Sequence, residues 1–226
     1  MYKAIFLDID DTVFNFKKCS ESALEKTFST MNLNYDESIF DVFTEIDEGL
    51  WVKQKRNQLT VAEVLDVRFV HLKEKLGIDY DSEQVQAHFG NLLGEQCIME
   101  PGIEKVLEKL SSEYRIYAAS NGVLTMQKNR LQLSGLRKYF TDLFVSDDIG
   151  YAKPDINYFK ECMNKTDLKT SEILLVGDSL TSDIAGANIA GIESCWYNPY
   201  GFENNSEVEA DFEINHLDDL LRLLDV

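Results

Sequence analysis

From Arg115 onward the chain alternates short apolar runs with helix-patterned stretches, and that alternation limits the fold more than any other feature. Residues 115–120, 142–146, 172–176 and 193–197 read as strands, each rich in β-branched or aromatic residues and stopped by Asn, Asp or Gly. Between them, residues 124–134, 155–164 and 185–190 carry helical patterning, with Gly135 closing the first. A last short strand near 212–214 and a helix over 217–224 complete the chain. Strands separated by helices pair in parallel through right-handed crossovers, which predicts an α/β fold. The run over residues 2–9, Tyr-Lys-Ala-Ile-Phe-Leu-Asp-Ile, reads as a further parallel strand buried on both faces. It ends in Asp8, Asp10, Asp11 and Thr12.

A parallel sheet gathers the C-terminal ends of its strands on one edge, where open α/β sheets carry their chemistry. Four such ends are polar here: Asp8 with Asp10, Ser120 with Asn121, Lys153, and Asp178 with Asp183. Two carboxylates at i and i+2 repel unless a cation lies beside them, and a hard divalent ion is the natural candidate. The set suits phosphoryl transfer to a carboxylate. Such a reaction needs a nucleophile, a metal to neutralise both partners, a cation and donors for the transferring oxygens, and an acid for the leaving oxygen.

Charge narrows the partners. With 22 basic against 40 acidic residues the net charge is −18. Such a surface repels phosphate polymers and anionic membranes, which argues against a nucleic-acid or lipid partner. A small phosphorylated metabolite stays compatible if local cations overcome the repulsion. Cys19, Cys97, Cys162 and Cys195 form no C-x-x-C pair and are expected as free, buried thiols. No stretch approaches the ~20 apolar residues of a membrane span, and Met1 leads directly into the first strand without a leader pattern, so a cytoplasmic protein is expected.

Residues 15–95 interrupt the alternation with helices alone. Ser22-Ala-Leu-Glu25 has capping-box form, and Asp36 to Ser38 suggests a second start before Ile39, Val42, Phe43, Ile46 and Leu50, spaced by three and four. That helix should run to about Arg56 and stop near Asn57. Thr60-Val-Ala-Glu63 is another capping box, with Gly77 as the stop of its helix, and Asp81 or Ser82 opens a fourth helix to about Leu93. This four-helix insertion follows the acidic loop directly, which places it as a cap over the strand ends. The expected division is 1–14 with 96–226 as core and 15–95 as cap.

D-x-D-x-T at Asp8–Thr12, strand-Ser-Asn-Gly at Ser120, Gly-x-x-Lys-Pro at Gly150 to Pro154 and Gly-Asp-x-x-x-x-Asp at Gly177 to Asp183 resemble, in order, the four motifs of the haloacid dehalogenase-like hydrolases. The resemblance covers essentially the whole chain and implies a Rossmann-like sheet of order 5-4-1-2-3 with a helical cap after the first motif. It further implies that Asp8 is the nucleophile forming an aspartyl-phosphate and Asp10 the general acid/base. Mg2+ would be bound by Asp8, the Asp10 main-chain carbonyl and Asp178, with Asp183 acting directly or through water. Ser120 and the Asn121 amide would hold phosphate oxygens, and Lys153 would pair with Asp8 and the phosphate. An acid/base carboxyl at the Asp10 position favours phosphate monoester chemistry. Asp11 stands where glycine is common and reads as tolerated charge near the site. Asp147 and Asp148 are expected to brace the Lys153 loop, while His71, His88 and His216 have no expected catalytic role.

Within the insertion, Ile46-x-x-x-Leu50-Trp51, Thr60 and Arg68-Phe69 resemble the bacterial 5′-nucleotidases for pyrimidine and noncanonical nucleoside monophosphates, a branch that usually has Gly where Asn57 stands. Trp51 and its aromatic neighbours are expected as cap core. A nucleoside monophosphate is thus the leading expected substrate. Phosphoglycolate or sugar-phosphate hydrolysis, a β-phosphoglucomutase-like mutase and a catalytically silent phosphate-binding module are the alternatives. Monomer and homodimer are both compatible with the sequence.

Overall fold

The computed structural model describes residues 1–56 and 58–226, so the expected helix stop at Asn57 lies outside the described residues. By packing, the chain forms two compact units, Met1–Phe16 with Cys97–Val226, and Lys17–Gln96.

The first unit is built on a parallel sheet of β1 (Ala4–Leu7), β2 (Arg115–Ser120), β3 (Asp142–Val145), β4 (Ile173–Gly177), β5 (Glu193–Tyr197) and β6 (Phe212–Ile214). Its order is β3-β2-β1-β4-β5-β6, which contains the expected 5-4-1-2-3 and adds β6 at the edge. β1 lies at the centre, with Leu7 opposite Ala118 on one side and Val176 on the other. All four of its residues are buried, as an apolar run flanked by two parallel neighbours requires. On one face Phe6 meets Tyr117 and Phe144 edge-on at 5.6 and 5.5 Å, while those two rings stack at 5.1 Å.

The described residues form ten α-helices, and α1 (Phe16–Thr30) starts earlier than expected. Ser22-Ala-Leu-Glu25 lies inside it and does not cap it. The start is set instead by Asp11, whose Oδ1 accepts the Phe16 N–H at 2.8 Å and so satisfies a first-turn donor from five residues upstream. Asp11 adopts φ 59°, which explains why glycine is common there and replaces the reading of its carboxylate as merely tolerated charge.

The second unit holds most of α1 together with α2 (Glu37–Lys55), α3 (Val61–Leu76) and α4 (Ser82–Glu95). Its caps follow the sequence. Asp36 accepts from Ser38 N, Thr60 and Glu63 form the reciprocal box, Gly77 takes the left-handed conformation at φ 66°, and Asp81 accepts from Glu83 and Gln84. Inside, the rings of Phe43, Phe69 and Phe89 lie 5.2–5.6 Å apart. Arg68 is buried among them, 4.7 Å over Phe89, and reaches Asp47 at 3.2 Å and Gln86 at 2.7 Å. Trp51, half-buried, donates to the second oxygen of Asp47 at 3.0 Å. Burial pushes the Asp47 carboxyl up and the Arg68 guanidinium down, and each partner opposes the other's shift.

The core unit continues with α5 (Ile103–Glu113), α6 (Leu124–Leu133), α7 (Ser146–Ile149), α8 (Ile156–Asn164), α9 (Ala185–Ala190) and α10 (Asp219–Leu223). The sequence did not announce α7, nor the π-helical turn Leu180–Ile184 ahead of α9. A Cβ on Gly186 would stand 2.6 Å from the Phe159 ring, so this glycine lets α9 approach α8. The chain's two crossings between the units run side by side. Asn15 N donates to Ile98 O and Glu100 N to Val13 O, while Asn15 Nδ2 and the Tyr197 hydroxyl hold the two oxygens of buried Glu100. All four cysteines are free thiols; Cys19, Cys162 and Cys195 are buried and Cys97 is half-buried. No helix of the described residues is long and apolar enough to cross a membrane.

Candidate active site

Asp8 follows the last residue of β1, and its main-chain N–H still donates to Val176 O at 2.9 Å, so the position of Asp8 is held by the sheet itself. Lys153 arrives from the loop after α7 and is almost fully buried. Its Nζ donates to Asp8 Oδ1 and to Asp183 Oδ1, each at 2.6 Å, and also to Ala119 O. The position of this cation is fixed by its own main chain: Lys153 N donates to Asn121 Oδ1 and Asn121 Nδ2 to Lys153 O, both at 2.8 Å. The Asn121 side chain therefore braces the lysine loop, a task expected of Asp147 and Asp148. Those two act elsewhere. Asp147 accepts the Leu124 N–H at the start of α6, and Asp148 pairs with Lys165 at 3.4 Å.

Burial pushes the Asp8 carboxyl up to about 7; Lys153 opposes this and Asp183 reinforces it. Burial alone would depress Lys153, yet Asp183 and Asp8 together raise it above its ordinary value, so the ammonium stays charged between them. Carboxylate oxygens of Asp8, Asp178 and Asp183 all lie within 4.8 Å of one another. Three acids around one ammonium leave negative charge uncompensated, which fits a divalent cation. Asp183 is already engaged on both oxygens, by Lys153 and by Ser179 N at 3.0 Å. Its contribution to such an ion suits a bridging water better than direct ligation. Gly177 makes this possible, since a Cβ there would meet Asp183 Cγ at 2.4 Å.

Ser120, at the end of β2, is buried, and its Oγ accepts from Gly122 N at 3.1 Å, which leaves the hydroxyl proton to be donated onward. Asp10 is more exposed, with 29% of its side chain accessible. Its oxygens are held by two residues that sequence reasoning missed, Arg130 Nη1 at 2.5 Å and Gln127 Nε2 at 2.7 Å. Both lie on α6, where Gln and Arg three apart read as an ordinary solvated face. The only available signal was the poor apolar patterning of that helix. His71, His88 and His216 are all exposed.

The expected strand-end residues thus meet within one unit, as the four motifs imply. Relatives match the chain over nearly its whole length. YfnB of Bacillus subtilis (strain 168) is 31% identical over 226 residues, covering 100% of this chain and 96% of its own. Its crystal structure, bound to magnesium, superposes with a TM-score of 0.93, covering 100% of this chain and 99% of that one at 30% identity. The pyrimidine 5′-nucleotidase PynA of Streptococcus pneumoniae is 29% identical (99% and 95% covered), and the pyrimidine 5′-nucleotidase YjjG of Escherichia coli (strain K12) is 28% identical (97% and 96%). The family model for haloacid dehalogenase-like hydrolases matches residues 2–191, from the first strand to beyond the last of the four motifs, and the chain belongs to that family of hydrolases.

Proposed function

We propose that this hydrolase is a magnesium-dependent phosphatase of small phosphate monoesters, acting on nucleoside 5′-monophosphates of pyrimidine and noncanonical type. The observation that carries the chemistry is Lys153, buried and charged between Asp8 and Asp183 at 2.6 Å beside the three-carboxylate cluster. It supplies positive charge inside a protein of net charge −18, where a phosphate dianion would otherwise be repelled. The substrate class is supported by the full-length similarity to PynA and YjjG. Four free thiols suit a reducing compartment, so the cytoplasm is the proposed setting.

In this reading an Asp8 carboxylate oxygen attacks phosphorus as the ester P–O bond breaks, and Asp10 gives its proton to the departing alcohol oxygen. Asp10, now a carboxylate, takes a proton from a water that attacks the aspartyl-phosphate; phosphate leaves and the Asp8 carboxylate is restored. Asp8, the Asp10 carbonyl and Asp178 would hold Mg2+, with Asp183 through water, and the ion would lower the charge repulsion between carboxylate and phosphate. Lys153 supplies positive charge beside the transferring oxygens, and the Ser120 hydroxyl and the main-chain N–H of Asn121 hold them as charge builds. Selection of the leaving group falls, in this reading, to the helical unit.

The test is phosphate release with magnesium across dUMP, dTMP, UMP, purine monophosphates, phosphoglycolate and hexose phosphates, with Asp8→Asn as control. Pyrimidine monophosphates should lead and the Asn variant should be silent. Preference for phosphoglycolate or hexose phosphates removes the nucleotidase assignment, isomerised sugar phosphate without free phosphate indicates a mutase, and turnover by Asp8→Asn removes the mechanism.

A further inference from the structure

We propose that Arg130 and Gln127 are positioning residues that hold Asp10 in its catalytic rotamer and tie it to the phosphate-holding hydroxyl of Ser120. The inference rests on the reading of Asp10 as the proton-transferring group and adds two residues outside the four motifs.

Both donors come from one face of α6, three residues apart, and both side chains are buried. Arg130 gives one bond to Asp10 Oδ1 at 2.5 Å and another to Gln127 Oε1 at 3.2 Å. The second bond decides which way the Gln127 amide faces. With its oxygen taken by Arg130, its Nε2 is directed to Asp10 Oδ2 at 2.7 Å and to Ser120 Oγ at 3.2 Å. One amide thereby joins the proposed acid/base to the proposed phosphate donor. Two further features are shaped for this. A Cβ on Gly122 would stand 2.7 Å from Gln127 Nε2, so the glycine of the Ser-Asn-Gly motif leaves room for that amide. The guanidinium lies 4.5 Å over the ring of Phe14, whose main chain closes the Asp10 loop through bonds to Ile9 O and Asp11 N. A side chain held by both oxygens keeps one rotamer, and proton transfer is lost steeply when the donor drifts by even about an ångström.

The test compares esters that do and do not need leaving-group protonation, using magnesium-supplemented full-length enzyme. kcat/KM reports the steps through transfer to Asp8. For Gln127→Leu, Arg130→Lys and Arg130→Met, kcat/KM on a nucleoside monophosphate should fall about 10- to 100-fold, a fraction of what a full acid/base is worth. On p-nitrophenyl phosphate, whose leaving group departs without a proton, the change should stay within about threefold. Equal losses on both esters, or no loss on either, overturn the proposal. If Arg130→Met does not fold, the other two variants decide. Asp10→Asn is run alongside and should show the same ester-dependent defect in larger form. Its absence there removes the reading of Asp10 itself, whereas its presence there alone removes only the role of Arg130 and Gln127.

Discussion

Replacing Lys153 by Met keeps most of the stem volume and removes the charge that lies between Asp8 and Asp183. Neither carboxylate can turn to solvent for relief, because their side chains are only 9% and 1% accessible. Losing one partner of a buried ion pair costs about 3–5 kcal/mol. For 226 residues each kcal/mol moves a thermal midpoint by about 2–4 °C, so the metal-free variant should melt roughly 10 °C below the parent at pH 7. The sign of the pH dependence follows from the direction of the shift. In the parent Asp8 is already held up to about 7, and without Lys153 it rises further, so well below that value the carboxyl is protonated in both folded proteins, and above it only the parent has a cation to offset the charge. The gap between parent and variant should therefore change little between pH 5 and pH 6 and widen as pH rises through about 7 to about 8.5. Differential scanning calorimetry of both proteins in chelator across that range measures it. A gap that is constant with pH, or below about 1 kcal/mol at pH 7, would refute the account of Lys153 as the compensating charge.

Other perturbations probe separate parts of the structure. Gly177→Ala puts a methyl 2.4 Å from Asp183 Cγ and should displace that side chain from both Lys153 and Ser179, costing about 1–3 kcal/mol in denaturant titration together with most of the magnesium-stimulated turnover. Unchanged turnover would argue that Asp183 is dispensable. Asp11→Ala loses the bond to Phe16 N and keeps a left-handed backbone, at about 2 kcal/mol, whereas Asp11→Gly should cost under about 1 kcal/mol because glycine adopts φ 59° freely. Chemical denaturation that ranks Gly below Ala would contradict this. Asp47→Ala strands the Arg68 guanidinium among three phenylalanine rings and should destabilise the helical unit by about 3–5 kcal/mol, read as faster hydrogen exchange across residues 37–95, with Asp47→Leu/Arg68→Met recovering much of the loss.

Strands were legible because burial on both faces leaves uninterrupted apolar runs, as in residues 4–7 and 173–176, and because Asp, Asn or Gly ends each one. Site residues at strand ends were legible for the same reason: a carboxylate directly after such a run has no packing role to explain it. Helical elements hid more. Asp11 caps α1 across a left-handed turn from five residues away, a spacing no linear capping pattern contains. Gln127 and Arg130 face inward, yet on a helix their types suggest solvent, and only the tertiary position of Asp10 gives them a purpose. The π-helical turn at Leu180–Ile184 carries Asp183 into the buried site, and an extra residue per turn leaves no signature in composition.

The paired crossings at Asn15–Ile98 and Val13–Glu100 have a consequence for how the chain can be rebuilt. The backbone leaves the core and re-enters it at adjacent positions, bridged between Phe14 and Met99 as in an antiparallel ladder. Seen from the sheet, everything between them is one closed loop, and the entropy of closing a loop grows only slowly with its length. Strand register and the four motifs therefore tolerate wide changes in what is inserted there. A tight turn, or another self-contained helical module, could be spliced at this doorway without asking the sheet to refold.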